Sequence, residues 1–390
     1  MKLRYEDFGA IIALDDPPAL VHVDQTMARA LGGREHPSWS APSGHLSAPI
    51  EVHLMTTNRC PAACPGCYTG ATPSGAEPTV SALKAVVDQL ADAGVFHVAL
   101  GGGESMLRPG LFELAHYIRQ RGMVPNLTTS GIGLTPERAR ACTVFGRVNV
   151  SMDGVGAVYR QSRGYDGAAA ALKALSMLAE AGVRCGINCV LSRATFEALP
   201  QTVEAVVAYG VDEVECLRFK PTGRGRDIYE SMALTEAQSR SLTPTLMALA
   251  EQYPAVSFKV DCSFIPMLCA ANPDPEQLER FGVYGCEAGH ALSAITAELH
   301  ATPCSFIETP LGDAGALGPR WGTDETLKRW RSYPENAPAP CNTCVYRSIC
   351  KGGCKAVTAF YDDTYFAPDP ECPRVMAHHR GVPFEPVRCP

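Results

Sequence analysis

No apolar run in the 390 residues reaches the roughly 20 that a membrane-spanning helix needs. No block of Lys and Arg stands out either, against a formal net charge of -7. The first absence excludes a helical membrane span. The second removes the electrostatic basis for a nucleic-acid or anionic-membrane partner. The opening stretch, MKLRYEDFGAII, carries acidic residues early and lacks a long apolar segment before a small-residue cleavage site. It does not read as a secretory signal, and a cytoplasmic location is expected. Hydrophobic residues nevertheless make up 46%, enough to bury a large core and exclude wholesale disorder. The length suits two or three packed units.

What the chain has in excess is cysteine, 17 in all. In a reducing compartment, bunched cysteines are more often metal ligands or redox groups than disulfide halves. Residues 1–48 read as a small unit. Phe8–Leu14 and Ala19–Val23 flank Asp15-Asp16-Pro17-Pro18 as a β-hairpin, Asp24 caps a helix running to Leu31, and His36 to Pro49 form a linker. Residues 49–260 alternate strand and helix. The expected strands are Glu51–Met55, Phe96–Leu100, Pro125–Thr128, Arg147–Ser151, Arg184–Leu191 and Glu213–Phe219. The helix-like segments are Val80–Ala93, Gly110–Arg121, Pro136–Cys142, Asp166–Ala181 and Phe196–Tyr209, several of them stopped by glycine. Repeated βα units predict an α/β fold, a parallel sheet with helices outside it and working residues at the strand ends. Residues 261–390 lose this rhythm and are rich in Cys, Pro and Gly, as in regions that rely on bound metal for order.

Just after the first strand stands Thr56-Thr57-Asn58-Arg59-Cys60-Pro61-Ala62-Ala63-Cys64-Pro65-Gly66-Cys67-Tyr68. Three thiolates in CX3CX2C spacing can bind three irons of a [4Fe–4S] cube, leaving the fourth iron open to a small chelating molecule. A zinc loop would want a fourth ligand, and none lies within this one. The motif resembles the signature of the radical S-adenosylmethionine (SAM) superfamily, which implies a partial (β/α)6 barrel. Gly66 departs from that pattern, since an aromatic usually precedes the third cysteine; here Tyr68 follows it instead.

Further matches fall along the expected barrel. Leu100-Gly101-Gly102-Gly103-Glu104 resembles the family's GGE motif, with Ser105 in place of its proline. Glycines such as Gly102 and Gly103 let backbone approach a ligand, and Glu104 with backbone carbonyls can accept bonds from the SAM ammonium group. Asn149-Val150-Ser151-Met152-Asp153-Gly154 resembles the SxDG element, with Ser151 suited to the ribose or carboxylate of SAM. Arg163-Gly164 looks like the arginine that pairs with that carboxylate. Thr128, Thr129, Asn188 and Arg218 are candidates to line the cavity, although strand alternation leaves their faces open.

Downstream, Cys341, Cys344, Cys350 and Cys354 form CX2CX5CX3C, with Cys286 and Cys304 before them and Cys372 after. This set resembles the SPASM extension of one branch of the superfamily, with Leu299 where that branch has a glycine. A purely structural zinc ribbon is the alternative. The resemblance implies two auxiliary [4Fe–4S] clusters, one on Cys286, Cys304 and Cys354, the other on Cys341, Cys344, Cys350 and Cys372. The fourth ligand of the first is left among Cys269, Cys262 and an open site for substrate. Cys142, Cys185, Cys189, Cys216 and Cys389 are expected not to be ligands, and His378-His379 to be solvated.

The resemblance further implies reductive cleavage of SAM to a 5′-deoxyadenosyl radical, which abstracts hydrogen from a substrate, with a ferredoxin or flavodoxin as electron donor. No residue declares itself as the catalytic acid or base. SPASM relatives mostly modify peptides or proteins. Because Ser305 stands where sulfatase maturases have an aspartate, a ribosomally made peptide undergoing oxidation or crosslinking is favoured, and the amino-terminal unit could help to hold its leader. The alternatives are a small-molecule oxidase or dehydrogenase in a cofactor, haem or aminoglycoside pathway, and a non-catalytic iron–sulfur electron carrier. A carrier has no need of the GGE and SxDG elements.

Overall fold

Three antiparallel strands, β1 (Lys2–Glu6), β2 (Gly9–Asp15) and β3 (Pro18–Asp24), open the chain. They belong to a computed structural model that describes residues 2–15 and 18–387; the tip of the expected hairpin, Asp16-Pro17, and Cys389 lie outside the described residues. Asp24 caps the helix Gln25–Ala30 by accepting a hydrogen bond from Met27 N at 2.7 Å. The hairpin and helix are as expected; β1 is an addition. Arg4, 7% exposed, anchors this unit. It donates to the carbonyls of Pro49 (2.8 Å) and Gly94 (3.2 Å), while Glu6 receives its Nε at 2.6 Å.

The six expected barrel strands all form: β4 (Glu51–Thr57), β5 (His97–Gly102), β6 (Val124–Thr129), β7 (Val148–Ser151), β8 (Cys185–Leu191) and β9 (Glu213–Arg218). Each pairs in parallel with the next. Outward residues such as Val52, Leu54 and Val98 are fully buried under helices such as Val80–Asp92, whose apolar face carries Leu83, Val86, Val87 and Leu90. The opposite faces, carrying Glu51, His53, Asn126 and Glu215, line the interior, because side chains alternate along a strand.

Three things were not legible in the sequence. β10 (Ser257–Val260) extends the parallel sheet beyond β9. β11 (Leu292–Ile295) pairs in parallel with β4 on the other side. β12 (His300–Thr302) and β13 (Gly312–Asp313) then follow antiparallel. The result is a 10-stranded sheet in the order β10-β9-β8-β7-β6-β5-β4-β11-β12-β13, with no pairing that closes it among the described residues. The C-terminal residues therefore continue the barrel's own sheet. Arg218 ties the two regions further. Its side chain, instead of being free to meet a ligand, is bound to Asp369 (2.6 and 3.1 Å), Glu371 (2.8 Å) and the carbonyl of Ser263. Among the described residues, no helix is long and apolar enough to cross a membrane.

Candidate active site

The inner faces of β4 to β10 enclose a cavity of about 1330 Å³. Cys60, Cys64 and Cys67 line it on the loop after β4. Backbone bonds shape that loop: Cys60 N donates to Thr72 O (2.9 Å), Gly103 N to Thr57 O (2.7 Å) and Glu104 N to Arg59 O (2.9 Å). A Cβ on Gly102 would sit 2.2 Å from Thr57 O, and one on Gly103 2.1 Å from Arg59 O. These glycines are demanded first by the cysteine loop packing on the strand end, and not only by a ligand as expected. A residue that sequence reasoning passed over clamps the other side. Arg224 donates from Nε to Cys64 O (3.0 Å) and from Nη1 to Ala71 O (2.8 Å), and its backbone N donates to Cys67 O (3.0 Å).

The aromatic missing at position 66 is present in space. A Cβ on Gly66 would meet Phe219 Cε2 at 2.5 Å, so the Phe219 ring, just past β9, occupies that flank. Tyr68 instead turns to the C-terminal residues, its ring centroid 5.0 Å from that of Phe306. Departure at Gly66 was the available signal; only β9's position told which aromatic replaces it.

Glu104 is 2% exposed and already saturated. Its Oε1 accepts from Met106 N (3.0 Å) and Thr129 Oγ1 (2.6 Å), its Oε2 from Ser130 N (2.8 Å) and Ser130 Oγ. Four donors fill the lone pairs of a carboxylate, so an incoming ammonium group must take the place of a hydroxyl. Asp153 holds the facing wall, accepting from Val190 N (2.8 Å) and Ser162 Oγ (3.0 Å) and pairing with Arg163 at 2.6 Å. Burial opposes the charge on Arg163, but Asp153 outweighs it and holds the guanidinium pKa above its ordinary value. The guanidinium also faces Cys64. Ser151 lines the same cavity.

Residues 54–206 match the model of the radical SAM superfamily. The chain is 28% identical to a mycofactocin maturase MftC of Mycolicibacterium smegmatis over 338 residues, 84% of this chain and 83% of the relative. It is 29% identical over 338 residues to a PqqA peptide cyclase of Methylocella silvestris, 83% of this chain and 87% of the relative. The fold is similar to that of Streptococcus suis SuiB solved with its precursor peptide SuiA: TM-score 0.77, 17% identity, covering 95% of this chain and 98% of that one. This chain carries a radical SAM domain.

The domain implies a [4Fe–4S] cluster and SAM, and the donors fit. Burial pushes the Cys60 and Cys64 thiols up, and the neighbouring cysteines of the loop add to it. The three sulfurs are grouped on one loop, with the Arg163 guanidinium beside Cys64. Among the described residues, no group of three or more His, Cys, Asp or Glu side chains gathers around a single ion. A cube asks instead for one thiolate per iron.

The C-terminal cysteines fall into two groups. Cys286, Cys304 and Cys354 face one another and line the cavity, and Cys262 faces Cys286. Cys341, Cys344, Cys350 and Cys372 form the other group, away from the cavity. Cys269, a candidate to complete the first set, faces Cys372 and Cys344 of the second instead. The helical turn Ile265–Leu268 separates it from Cys262 and carries it to the far side. Cys142, Cys185, Cys189 and Cys216 are buried in the barrel core.

A second polar cluster lies lower in the barrel. His53 Nδ1 is 2.7 Å from Ser305 Oγ, and its Nε2 is 3.1 Å from Glu51 Oε1. Asn149 Nδ2 donates to Asn188 Oδ1 (2.6 Å) and to Glu215 Oε2 (3.3 Å), and Asn188 Nδ2 to Thr128 Oγ1 (3.4 Å). Thr128 and Asn188 thus face inward. Desolvation, with Asp261, Glu213 and Glu51 nearby, pushes Glu215 up to about 7.

Proposed function

We propose that this protein is a SPASM-type radical SAM enzyme that oxidises or crosslinks a ribosomally made peptide. The observation that carries the reading is a single cavity faced by the Cys60/Cys64/Cys67 loop at one wall and by Cys286, Cys304, Cys354 and Cys262 at another. Bound on the loop cysteines, a reduced [4Fe–4S] cluster with SAM supplies a carbon radical able to take hydrogen from an unreactive C–H bond. The second wall suits an auxiliary cluster close to substrate, and the group away from the cavity suits one nearer an external electron donor such as a ferredoxin or flavodoxin. Cys262 then completes the first auxiliary set.

The chain's own residues orient and enclose. Arg163, its Nε engaged by Asp153, offers the rest of its guanidinium to the carboxylate of SAM, Ser151 its hydroxyl, and Phe219 its ring face. Gly102, Gly103 and Glu104 shape the wall opposite. Tyr68 and Phe306, with Lys220 Nζ 4.3 Å from the Phe306 ring centroid, line the cavity that the two cysteine sets share. His53, held between Ser305 and Glu51, is placed to accept a proton that an oxidised substrate must release. Support for a peptide comes from the maturase and cyclase names of the relatives and from the SuiB complex with its precursor.

The test is anaerobic reconstitution with SAM and dithionite beside peptides from neighbouring reading frames. 5′-Deoxyadenosine and a mass loss in a peptide are expected. Replacing Cys60, Cys64 and Cys67 together by Ala should abolish SAM cleavage while leaving about eight irons, two cubes' worth. Loss of all iron would contradict the three-cluster arrangement, and absence of 5′-deoxyadenosine from the unaltered enzyme would overturn the function.

A further inference from the structure

We propose that Lys355 is one buried cation shared by the two C-terminal cysteine sets, a positioning residue that raises the reduction potentials of both, with the Tyr333 hydroxyl acting on the second alone. This rests on the reading of those sets as sites of two auxiliary [4Fe–4S] clusters.

The two sets come closest along the chain at Cys350-Lys351-Gly352-Gly353-Cys354, where three residues separate a cysteine of the second from one of the first. Lys355 follows at once and opens the helix Lys355–Asp362. Lysine is almost never fully buried without a partner, yet this one is 2% exposed. Its Nζ turns back to donate to Lys351 O at 2.9 Å and lies 3.9 Å from the centroid of the Tyr333 ring. Those contacts hold the ammonium group without cancelling its charge, and among the described residues no carboxylate pairs with it. Other cations nearby each have a carboxylate: Lys351 has Glu287 (2.7 Å), Arg218 has Asp369 (2.6 Å) and Lys220 has Asp261. What faces Lys355 instead is sulfur, Cys286 and Cys354 from the first set and Cys350 and Cys341 from the second. Burial draws its pKa down, and those four cysteines raise it. A cube on thiolates carries net negative charge, which is the counter-ion that a buried ammonium group requires.

Tyr333 adds a one-sided contact. It is fully buried against Gly352, where a Cβ would fall 2.3 Å from Tyr333 Cζ. Its hydroxyl faces the Cys341 sulfur, and among the described residues no oxygen or nitrogen accepts from it. Reduction adds one negative charge to a cube, and a nearby cation or a hydrogen bond to a ligand sulfur favours that state. An electron passing from one cube to the other oxidises the first and reduces the second, so the total charge around Lys355 stays the same. A cation that faces cysteines of both sets therefore favours entry of an electron into the pair without trapping it on either cube. Tyr333 tilts the pair towards the second.

The experiment uses the full-length chain with Cys60, Cys64 and Cys67 replaced together by Ala, reconstituted anaerobically with iron and sulfide, so that only the auxiliary clusters contribute. Midpoint potentials are read by electron paramagnetic resonance during reductive titration, with iron counted in each variant. Lys355→Met should lower both midpoints, the ratio of reduced to oxidised cluster at a fixed potential falling about tenfold, or about 59 mV for one electron. Lys355→Gln, which keeps a polar head in the same place, should do the same if the methionine disturbs packing. Lys355→Arg, which keeps the charge, should hold both midpoints near the parent values. Tyr333→Phe should lower one midpoint and leave the other. Unchanged midpoints at full iron in a neutral Lys355 variant, a shift of one cluster alone, or a loss that Lys355→Arg reproduces overturns the proposal. The auxiliary-cluster reading fails separately, through a parent chain that holds well under about eight irons before Lys355 is touched.

Discussion

Gly66→Ala isolates the contact by which the chain makes good its missing aromatic. The new Cβ would lie 2.5 Å from Cε2 and 3.1 Å from Cζ of Phe219. Carbon atoms sit comfortably at about 3.5–4.0 Å, so the overlap is about 1 Å. Phe219 has little room to yield. It is 6% exposed and stacked on Tyr229 at 5.9 Å and 12°. Tyr229 is in turn fixed by its hydroxyl, which donates to Glu371 Oε1 at 2.8 Å. Overpacking of this kind costs about 1–3 kcal/mol, and the strain falls on the segment between Cys64 and Cys67. Phe219→Ala alone should cost about 3–5 kcal/mol through the cavity it leaves. The double variant should cost less than the sum, because the new methyl then enters that cavity, with a coupling of about 1–3 kcal/mol. Unfolding midpoints of the anaerobic holoenzyme, with iron content and SAM affinity of each variant, measure this directly. Additive effects, or a Gly66→Ala enzyme with unaltered midpoint and SAM affinity, would refute the idea that Phe219 fills the vacant flank.

Arg224→Met removes the clamp on the carbonyls of Cys64 and Ala71; iron bound after gel filtration should fall by about four atoms per chain, and full iron retention would count against the clamp. Arg218→Met strands Asp369 and Glu371 without their cation; a loss of about 3–5 kcal/mol is expected, seen as faster proteolysis between barrel and C-terminal residues. Glu215 gives a pH dependence with a definite sign. Its folded pKa of about 7 lies above the ordinary carboxyl value of 4.5, so the native state holds its proton more tightly and loses that stability as pH rises from 4.5 through 7. Glu215→Gln should match the parent near pH 4 and exceed it at pH 8 by up to about 3 kcal/mol; a constant difference across that range would be the failing result. Cys262→Ser should alter the electron paramagnetic resonance of one auxiliary cluster and Cys269→Ser should not, since Cys269 faces a set that already has four cysteines.

Local chemistry was legible along the chain. Alternation and helix stops located all six barrel strands, and the CX3CX2C spacing alone put three thiols on one loop, because the loop is eight residues of continuous backbone from Cys60 to Cys67. The hairpin and its Asp24 cap followed from turn residues and a capping rule that act within a few positions. Contacts between distant segments were decided only by the fold. His53 meets Ser305 across 252 positions, Gly66 meets Phe219 from the far end of the sixth strand, and Cys262 and Cys269 part company although seven residues apart. β11 joined β4 because the open edge of a parallel sheet must pair its backbone groups, a demand that no periodicity in residues 261–390 records. A sequence specifies which side chains can carry a charge or bind iron. Sheet register and curvature decide which of them face one another.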